Sequence, residues 1–218
     1  MQSLLTQSDY ARALAIMFSR TDYESFTQAY ESLPKTIAHS EYTTPHTHSA
    51  MGPLPAHAAD MMRPATPAEQ EYGIFCRQVL TAGFPTSALP VESFYKTWSS
   101  TGAQVPFGRT GKCYGGDSAQ HMLYLFDQFG FEVPEEFQAM PDHLSCILAL
   151  LAELEEANRN TLARSLVDDH LDWISDYREK LDSVRTIANE QARVCLKAYD
   201  YALSIISKEV DAQTARTA

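Results

Sequence analysis

The apolar residues of this chain recur at intervals of three and four, and this periodicity constrains its fold more than any other feature. The stretch Leu144–Leu154 shows it most clearly, because its leucines and isoleucines repeat with the period of an α-helix. The alternation typical of strands is nearly absent. The sequence therefore predicts an all-α protein, and we expect residues 1–218 to form a single helical domain.

Six or seven helices are predicted from the periodicity and from local capping signals. Thr21 with Glu24, and Thr66 with Pro67 and Glu69, are typical of helix starts, and Gly130 is typical of a helix end. Asp117 or Ser118 is expected to cap the helix that Gly130 ends. The predicted helices cover approximately residues 9–20, 22–33, 67–79, 118–129, 141–154, 161–181 and 183–210, with Leu123, Leu162 and Ile187 among the side chains expected to be buried.

A proline- and histidine-rich segment at about 34–67 interrupts the helical pattern. It contains six of the eleven prolines and the four histidines His39, His46, His48 and His57. Without periodicity, it is predicted to be a long loop or insertion. Clustered histidines can bind a transition metal, but no carboxylate or cysteine framework accompanies them. We therefore predict no metal site and no bound cofactor.

The net charge of −11 is concentrated in one part of the chain. Residues 117–179 contain 14 acids and three bases, a difference of −11, whereas the remaining acids and bases balance. Such a surface repels nucleic acid and anionic lipid and attracts cationic partners. Its simplest interpretation is a solvated face that keeps the protein soluble. Asp168, Asp172 and Asp176, which we expect to lie along one helix face, are candidates for a cation-binding ridge.

The class of protein is restricted further by what the sequence lacks. The longest apolar run is Cys146–Ala152, seven residues, whereas a membrane-spanning helix needs about 20. The N-terminal residues do not have the pattern of a signal peptide. The four cysteines lie 37, 33 and 49 residues apart, which indicates reduced thiols and a cytoplasmic protein. No common nucleotide-binding or hydrolase motif is present.

Two pairs of residues remain as candidates for chemistry. Asp117 and His121 are one helical turn apart, so they could share a metal, but a helix cap beside a surface histidine is the preferred interpretation. Asp142 and His143 follow Pro141 at a predicted helix start, where a carboxylate is favoured by the helix dipole. They are interpreted either as a simple cap or as an anionic pair that receives an arginine side chain.

Four short segments together resemble the TorD/DmsD/NarJ family of redox-enzyme maturation chaperones. The resemblance covers approximately residues 66–181, and its segments are Pro90–Tyr95, Gly115–Asp117, Met140–Leu144 and His170–Ile174. It implies an all-helical, non-enzymatic, cytoplasmic chaperone that binds the twin-arginine leader and the immature body of a molybdopterin oxidoreductase until the cofactor is inserted. It also implies that Asp142 and His143 contact the leader, with His170 and Trp173 forming the wall behind them.

The acid-rich block agrees with this resemblance, because a twin-arginine leader carries two adjacent positive charges followed by an apolar stretch. Arginine favours carboxylates, with which it forms bidentate contacts. Asp168, Asp172 and Asp176 are therefore included among the predicted peptide-binding residues. The alternatives are a helical scaffold that binds another basic protein and a metal-dependent hydrolase that uses Asp117, His121 and the loop histidines. The oligomeric state, monomer or homodimer, stays open.

Overall fold

The structure is a computed structural model that describes residues 8–34, 65–97 and 114–217. Within these ranges it contains eight α-helices and two short 3-10 helices, and no strand beyond an isolated bridge between Val91 and His143. The prediction of an all-α fold is confirmed. The α-helices are α1 Ser8–Phe18, α2 Tyr23–Ser32, α3 Pro67–Gln78, α4 Asp117–Phe129, α5 Leu144–Glu156, α6 Asn160–His170, α7 Ile174–Ile187 and α8 Glu190–Thr217; the 3-10 helices are Glu92–Phe94 and Glu135–Phe137.

The start of α3 and the end of α4 agree with the predicted capping signals. Thr66 accepts a hydrogen bond from the Glu69 backbone N–H, and the Glu69 side chain accepts one from the Thr66 backbone, which completes a capping box. Gly130 ends α4 in the left-handed conformation, with a φ of 73°. These local signals were sufficient because each involves residues that are close in sequence.

Two of the predicted caps are wrong. Asp22, not Thr21, caps α2, because the Asp22 carboxylate accepts a hydrogen bond from the Ser25 backbone N–H at 2.9 Å. This hydrogen bond also lowers the pKa of Asp22. At α4 the cap is Gly116, which makes no side-chain hydrogen bond, so neither Asp117 nor Ser118 has the predicted role.

The long helix predicted at 161–181 is two helices. α6 ends at His170 and α7 begins at Ile174. The indole N–H of Trp173 donates to the His170 backbone oxygen at 2.7 Å and so satisfies a carbonyl at the break. The boundary predicted near 183 is also wrong, since α7 continues to Ile187 and α8 begins at Glu190.

Three side chains that the periodicity placed in the core lie partly outside it. Leu123 is 40% exposed, Leu162 is 42% exposed and Ile187 is 59% exposed. Leu162 lies in the first turn of α6 and Ile187 is the last residue of α7, so both are at helix ends; the end at Ile187 lies inside the predicted helix 183–210.

The helices share one hydrophobic core in which α5 and α8 are central. α5 buries the predicted leucine and isoleucine stripe and packs against α1 and α6, while α8 packs against α3 and α7. Tyr199 of α8 lies among the rings of Phe18, Phe26 and Phe75, and its hydroxyl donates to the Met17 backbone oxygen at 2.9 Å. Burial of these large rings is a principal source of stability.

Several predictions concern residues that lie outside the described ranges. The proline- and histidine-rich segment is described only at its ends, and Cys113 is not described. The other three cysteines, Cys76, Cys146 and Cys195, are free and buried. Among the helices of the described ranges, none combines the length and apolar character needed to cross a membrane.

Candidate functional site

The segment from Pro90 to Lys96 lies against the residues that precede α5. Two backbone hydrogen bonds join them, from Glu92 N to Asp142 O at 3.1 Å and from Leu144 N to Pro90 O at 2.8 Å. Val91 and His143 form the isolated antiparallel bridge between the two stretches. The first turn of α5 is thus fixed to a segment about 50 residues earlier in the chain.

Asp142 lies at the centre of this junction and is fully buried. One carboxylate oxygen, Oδ2, accepts a hydrogen bond from Ser93 N at 2.8 Å and another from the Ser93 hydroxyl. The other oxygen, Oδ1, accepts no hydrogen bond from the described residues. Asp142 was expected in the first helical turn, but it precedes the helix, and it interacts with Ser93 rather than with the free amides of α5.

His143 is the N-cap of α5 and forms part of a groove wall. Its Nδ1 accepts a hydrogen bond from the Ser145 backbone N–H at 3.2 Å, and its ring stacks on Phe137 with 4.6 Å between centroids. Burial lowers the pKa of His143 to about 3, because the surroundings disfavour the charged imidazolium. The neutral form is also the one that can accept the capping hydrogen bond.

A second buried chain of polar contacts lies behind the segment 90–97. His170 is fully buried, with its Nδ1 2.7 Å from Glu92 Oε2 and its Nε2 2.9 Å from His121 Nδ1. Because a carboxylate oxygen accepts, this geometry places a proton on His170 Nδ1. Burial, together with the neighbouring His170, lowers the pKa of His121. These contacts connect the Glu92–Phe94 turn to α4 and to the end of α6.

The predicted ridge of aspartates does not lie along one helix. Asp168 is in α6, Asp176 is in α7, and Asp172 is in the turn between them, because the predicted continuous helix is broken there. All three residues are exposed. Asp172 Oδ1 is 2.9 Å from Lys96 Nζ, which also donates to the Asp169 backbone oxygen at 2.6 Å. We call the exposed surface formed by Asp168, Asp172 and Asp176 at the α6–α7 turn the acidic corner.

Trp173 is buried at this corner and does not reach the surface. Its ring stacks on Tyr95, with 5.3 Å between centroids and 11° between planes. Trp173 and His170 therefore hold the inner side of the segment 90–97. Because both side chains are buried, neither is exposed to solvent at this position.

Three cavities in the described part of the protein adjoin one another in a row. The first, of about 450 Å³, lies between α1, the end of α4 and α5, and we call it the α1–α5 groove; Ile16, Phe131 and Ala149 are among the residues that line it. The second, of about 610 Å³, has His143 in its wall and shares Ser19, Glu136 and Phe137 with the first. The third, of about 380 Å³, shares Ala82, Leu89 and Tyr114 with the second.

Each neighbouring pair of cavities shares wall residues, so the cavities adjoin one another. Each cavity alone has the size of a ligand pocket, about 300–1,000 Å³. The middle cavity is the point where this row meets the Pro-Asp-His sequence that precedes α5. Of the predicted site residues, only His143 lines the row.

No group of three or more histidine, cysteine, aspartate or glutamate side chains in the described ranges is arranged to hold a metal ion. His121 Nδ1 lies 2.9 Å from His170 Nε2. The loop histidines that the hydrolase hypothesis also uses lie outside the described residues.

Comparison with known protein families agrees with the all-α fold. The profile of the nitrate reductase delta subunit family matches residues 56–185, which is more than half of the chain. The chain therefore belongs to this family, the NarJ/TorD-like chaperones, as the sequence resemblance predicted. A comparison with curated protein sequences gives no match.

Membership establishes the general role of the protein. The family supports the maturation of molybdoenzymes and partners a molybdoenzyme subunit, and its role is that of a chaperone rather than of a catalytic subunit.

Proposed function

We propose that this protein is a cytoplasmic chaperone that binds the twin-arginine leader of a molybdopterin oxidoreductase and delays export until the cofactor is inserted. The observation that carries the proposal is the row of three cavities, whose middle member has His143 in its wall. An extended leader needs an elongated site. The role of the family in molybdoenzyme maturation favours an immature molybdoenzyme as the protein that is bound.

The exposed carboxylates of the acidic corner are proposed to attract the leader. Asp168, Asp172 and Asp176 are all exposed on the acidic surface, where long-range attraction increases the rate of encounter with a cationic peptide. Lys96 offsets part of this charge through Asp172.

Asp142, His170 and Trp173 are proposed to act indirectly. Their burial favours a role in holding the segment 90–97, and with it the wall of the middle cavity, over direct contact with the peptide. His143 contacts the segment 90–97 through its bridge to Val91, and it also lines the middle cavity.

The experiment is calorimetric titration of a synthetic twin-arginine leader peptide into the purified chain. A peptide with the same apolar stretch and glutamines in place of both arginines is the control. We expect the arginine peptide to bind more tightly, and the difference to shrink as salt rises because exposed charges are screened over about 10 Å at 0.1 M.

Failure of the arginine peptide to bind would refute the proposal. Equal binding of a basic peptide that lacks the apolar stretch would instead favour the acidic scaffold that binds other basic proteins. The two results are distinguished in one series of titrations.

A further inference from the structure

The α1–α5 groove differs from the other two cavities in its charge. Its floor is apolar and includes Ile16 and Phe131, which are 41% and 38% exposed although both are large hydrophobic residues. Carboxylates of Glu132, Glu136 and Glu153 line its edge, and no basic residue lines it within the described ranges. The middle cavity, by contrast, contains Arg20, and the third contains Lys180.

The three carboxylates are not equally available. Glu153 is 2.9 Å from the Arg12 guanidinium, so its charge already has a partner. Glu132 and Glu136 are exposed and form no salt bridge with any residue that the structure describes. Two carboxylates therefore stand beside an apolar floor with their charge uncompensated by the described part of the protein.

The helices on both sides of this groove present small side chains to it. Ala15 of α1 and Ala149 of α5 line it, together with Ser145. Small residues let a bound chain approach the helix backbones closely, so an apolar side chain can pack against α1 and α5. The cavity is about 450 Å³, sufficient for several apolar side chains rather than for a complete folded domain.

We propose that the α1–α5 groove is where the leader is held, with Glu132 and Glu136 pairing with its two arginines and the apolar floor receiving the stretch that follows them. This inference rests on the proposed function and assigns it a location. Arginine pairs with carboxylates through charge-assisted hydrogen bonds, and a neighbouring apolar surface reduces their exposure to water. A basic, apolar segment is the partner whose chemistry matches both features of the groove.

The shared wall residues explain how the leader reaches the middle cavity. Glu136 and Phe137 line both the α1–α5 groove and the cavity bounded by His143. A peptide held at Glu136 therefore lies next to the Pro-Asp-His sequence. Under this assignment, Asp142 positions the wall of the middle cavity, and Glu132 and Glu136 recognise the positive charge of the leader.

The test is a thermodynamic cycle between protein charge and peptide charge. One protein variant carries both Glu132→Gln and Glu136→Gln. The control variant is Glu135→Gln, which changes an exposed acid that is next to Glu136 in the 3-10 helix Glu135–Phe137 and does not line the groove. The peptides are the twin-arginine leader and its glutamine counterpart, titrated by calorimetry at low salt.

We expect the double substitution to weaken the arginine peptide about tenfold or more, the scale of losing hydrogen bonds to charged groups. The same substitution should leave the glutamine peptide unchanged, and Glu135→Gln should bind both peptides as the wild type does. Equal tenfold losses for both peptides, or no loss for either, would overturn the assignment while leaving leader binding itself intact.

A second variant tests the apolar floor without changing charge. Ala149→Trp places an indole in the groove at an exposed position, and Ser165→Trp places one on an exposed face of α6 as the control. We expect Ala149→Trp to reduce leader binding at an unchanged melting temperature. Normal binding by a folded Ala149→Trp protein would also overturn the assignment, whereas absence of leader binding by the wild type would overturn the proposed function itself.

Discussion

The interaction between Asp142 and Ser93 is predicted to stabilise the fold rather than to contact the leader. The carboxylate is fully buried and accepts from both the backbone N–H and the hydroxyl of Ser93, so Asp142→Ala leaves buried donors without an acceptor. A hydrogen bond to a charged group contributes about 1.5–3 kcal/mol, and we expect Asp142→Ala to lower the free energy of unfolding by at least that amount.

Backbone hydrogen bonds limit the loss of stability that Asp142→Ala causes. Glu92 N to Asp142 O and Leu144 N to Pro90 O involve no side chain, so they persist in the variant. We therefore expect a folded protein of reduced stability rather than an unfolded one.

The assay is urea unfolding, followed by circular dichroism, of the wild type, Ser93→Ala, Asp142→Ala and the double variant. Because the two side chains contact each other directly, the effects should not add, and the coupling should be about 0.5–3 kcal/mol. Leader affinity is measured on the same four proteins. If Asp142 acts by positioning, Ser93→Ala and Asp142→Ala should weaken binding together.

Three results would contradict a structural role for Asp142. Additive effects, or an Asp142→Ala protein as stable as the wild type, would show that the Ser93 interaction does not hold the junction. A loss of leader binding in Asp142→Ala that Ser93→Ala does not share would indicate direct contact of the carboxylate with the peptide.

Three further predictions concern pH, a helix end and salt. The pKa of His143 is lowered to about 3 in the folded protein, so below pH 6.5 the unfolded chain gains a proton that the folded chain does not. This difference should lower the free energy of unfolding by about 1.4 kcal/mol per pH unit from 6.5 towards 3. The slope should flatten in His143→Asn, measured by urea unfolding at pH 7.5 and 5.0. Gly130→Ala should cost about 1 kcal/mol because the residue has a φ of 73°, whereas Gly73→Ala, in the interior of α3, should not be destabilising for this reason; melting curves compare them. Neutralising Asp168 and Asp176 with asparagine should slow association of the twin-arginine peptide at low salt and have little effect at high salt, and an unchanged rate in stopped-flow measurements would contradict steering by the acidic corner.

The helices and several of their ends were predictable because their signals are local. The apolar stripe of α5, the capping box at Thr66 and the glycine at position 130 each depend on residues within a few positions of one another. The break at residues 171–173 was not predictable in this way. Leu171 and Ile174 are both buried, so the apolar period continues through the break, and only the tertiary position of Trp173 shows that the helix ends.

The buried polar contacts of Glu92 and Ser93 also could not be predicted from local sequence signals. Ser93 and its partner Asp142 are 49 residues apart, and Glu92 and its partner His170 are 78 residues apart, so no periodicity relates them. A glutamate between Val91 and Phe94 was the available clue, because a carboxylate beside apolar residues requires a buried partner. The α1–α5 groove had no sequence signal, since it arises where three separate elements meet.

If this protein is required to mature a molybdoenzyme that carries a twin-arginine leader, its loss should leave that enzyme without its cofactor. The most direct measurement is the molybdenum content per mole of each such oxidoreductase, purified from cells with and without this chain. We predict that at least one of them accumulates without its cofactor in the absence of the chain and regains it when the wild-type chain is restored. Full molybdenum content in every twin-arginine oxidoreductase of the deficient cells would show that the chain is not required for their maturation.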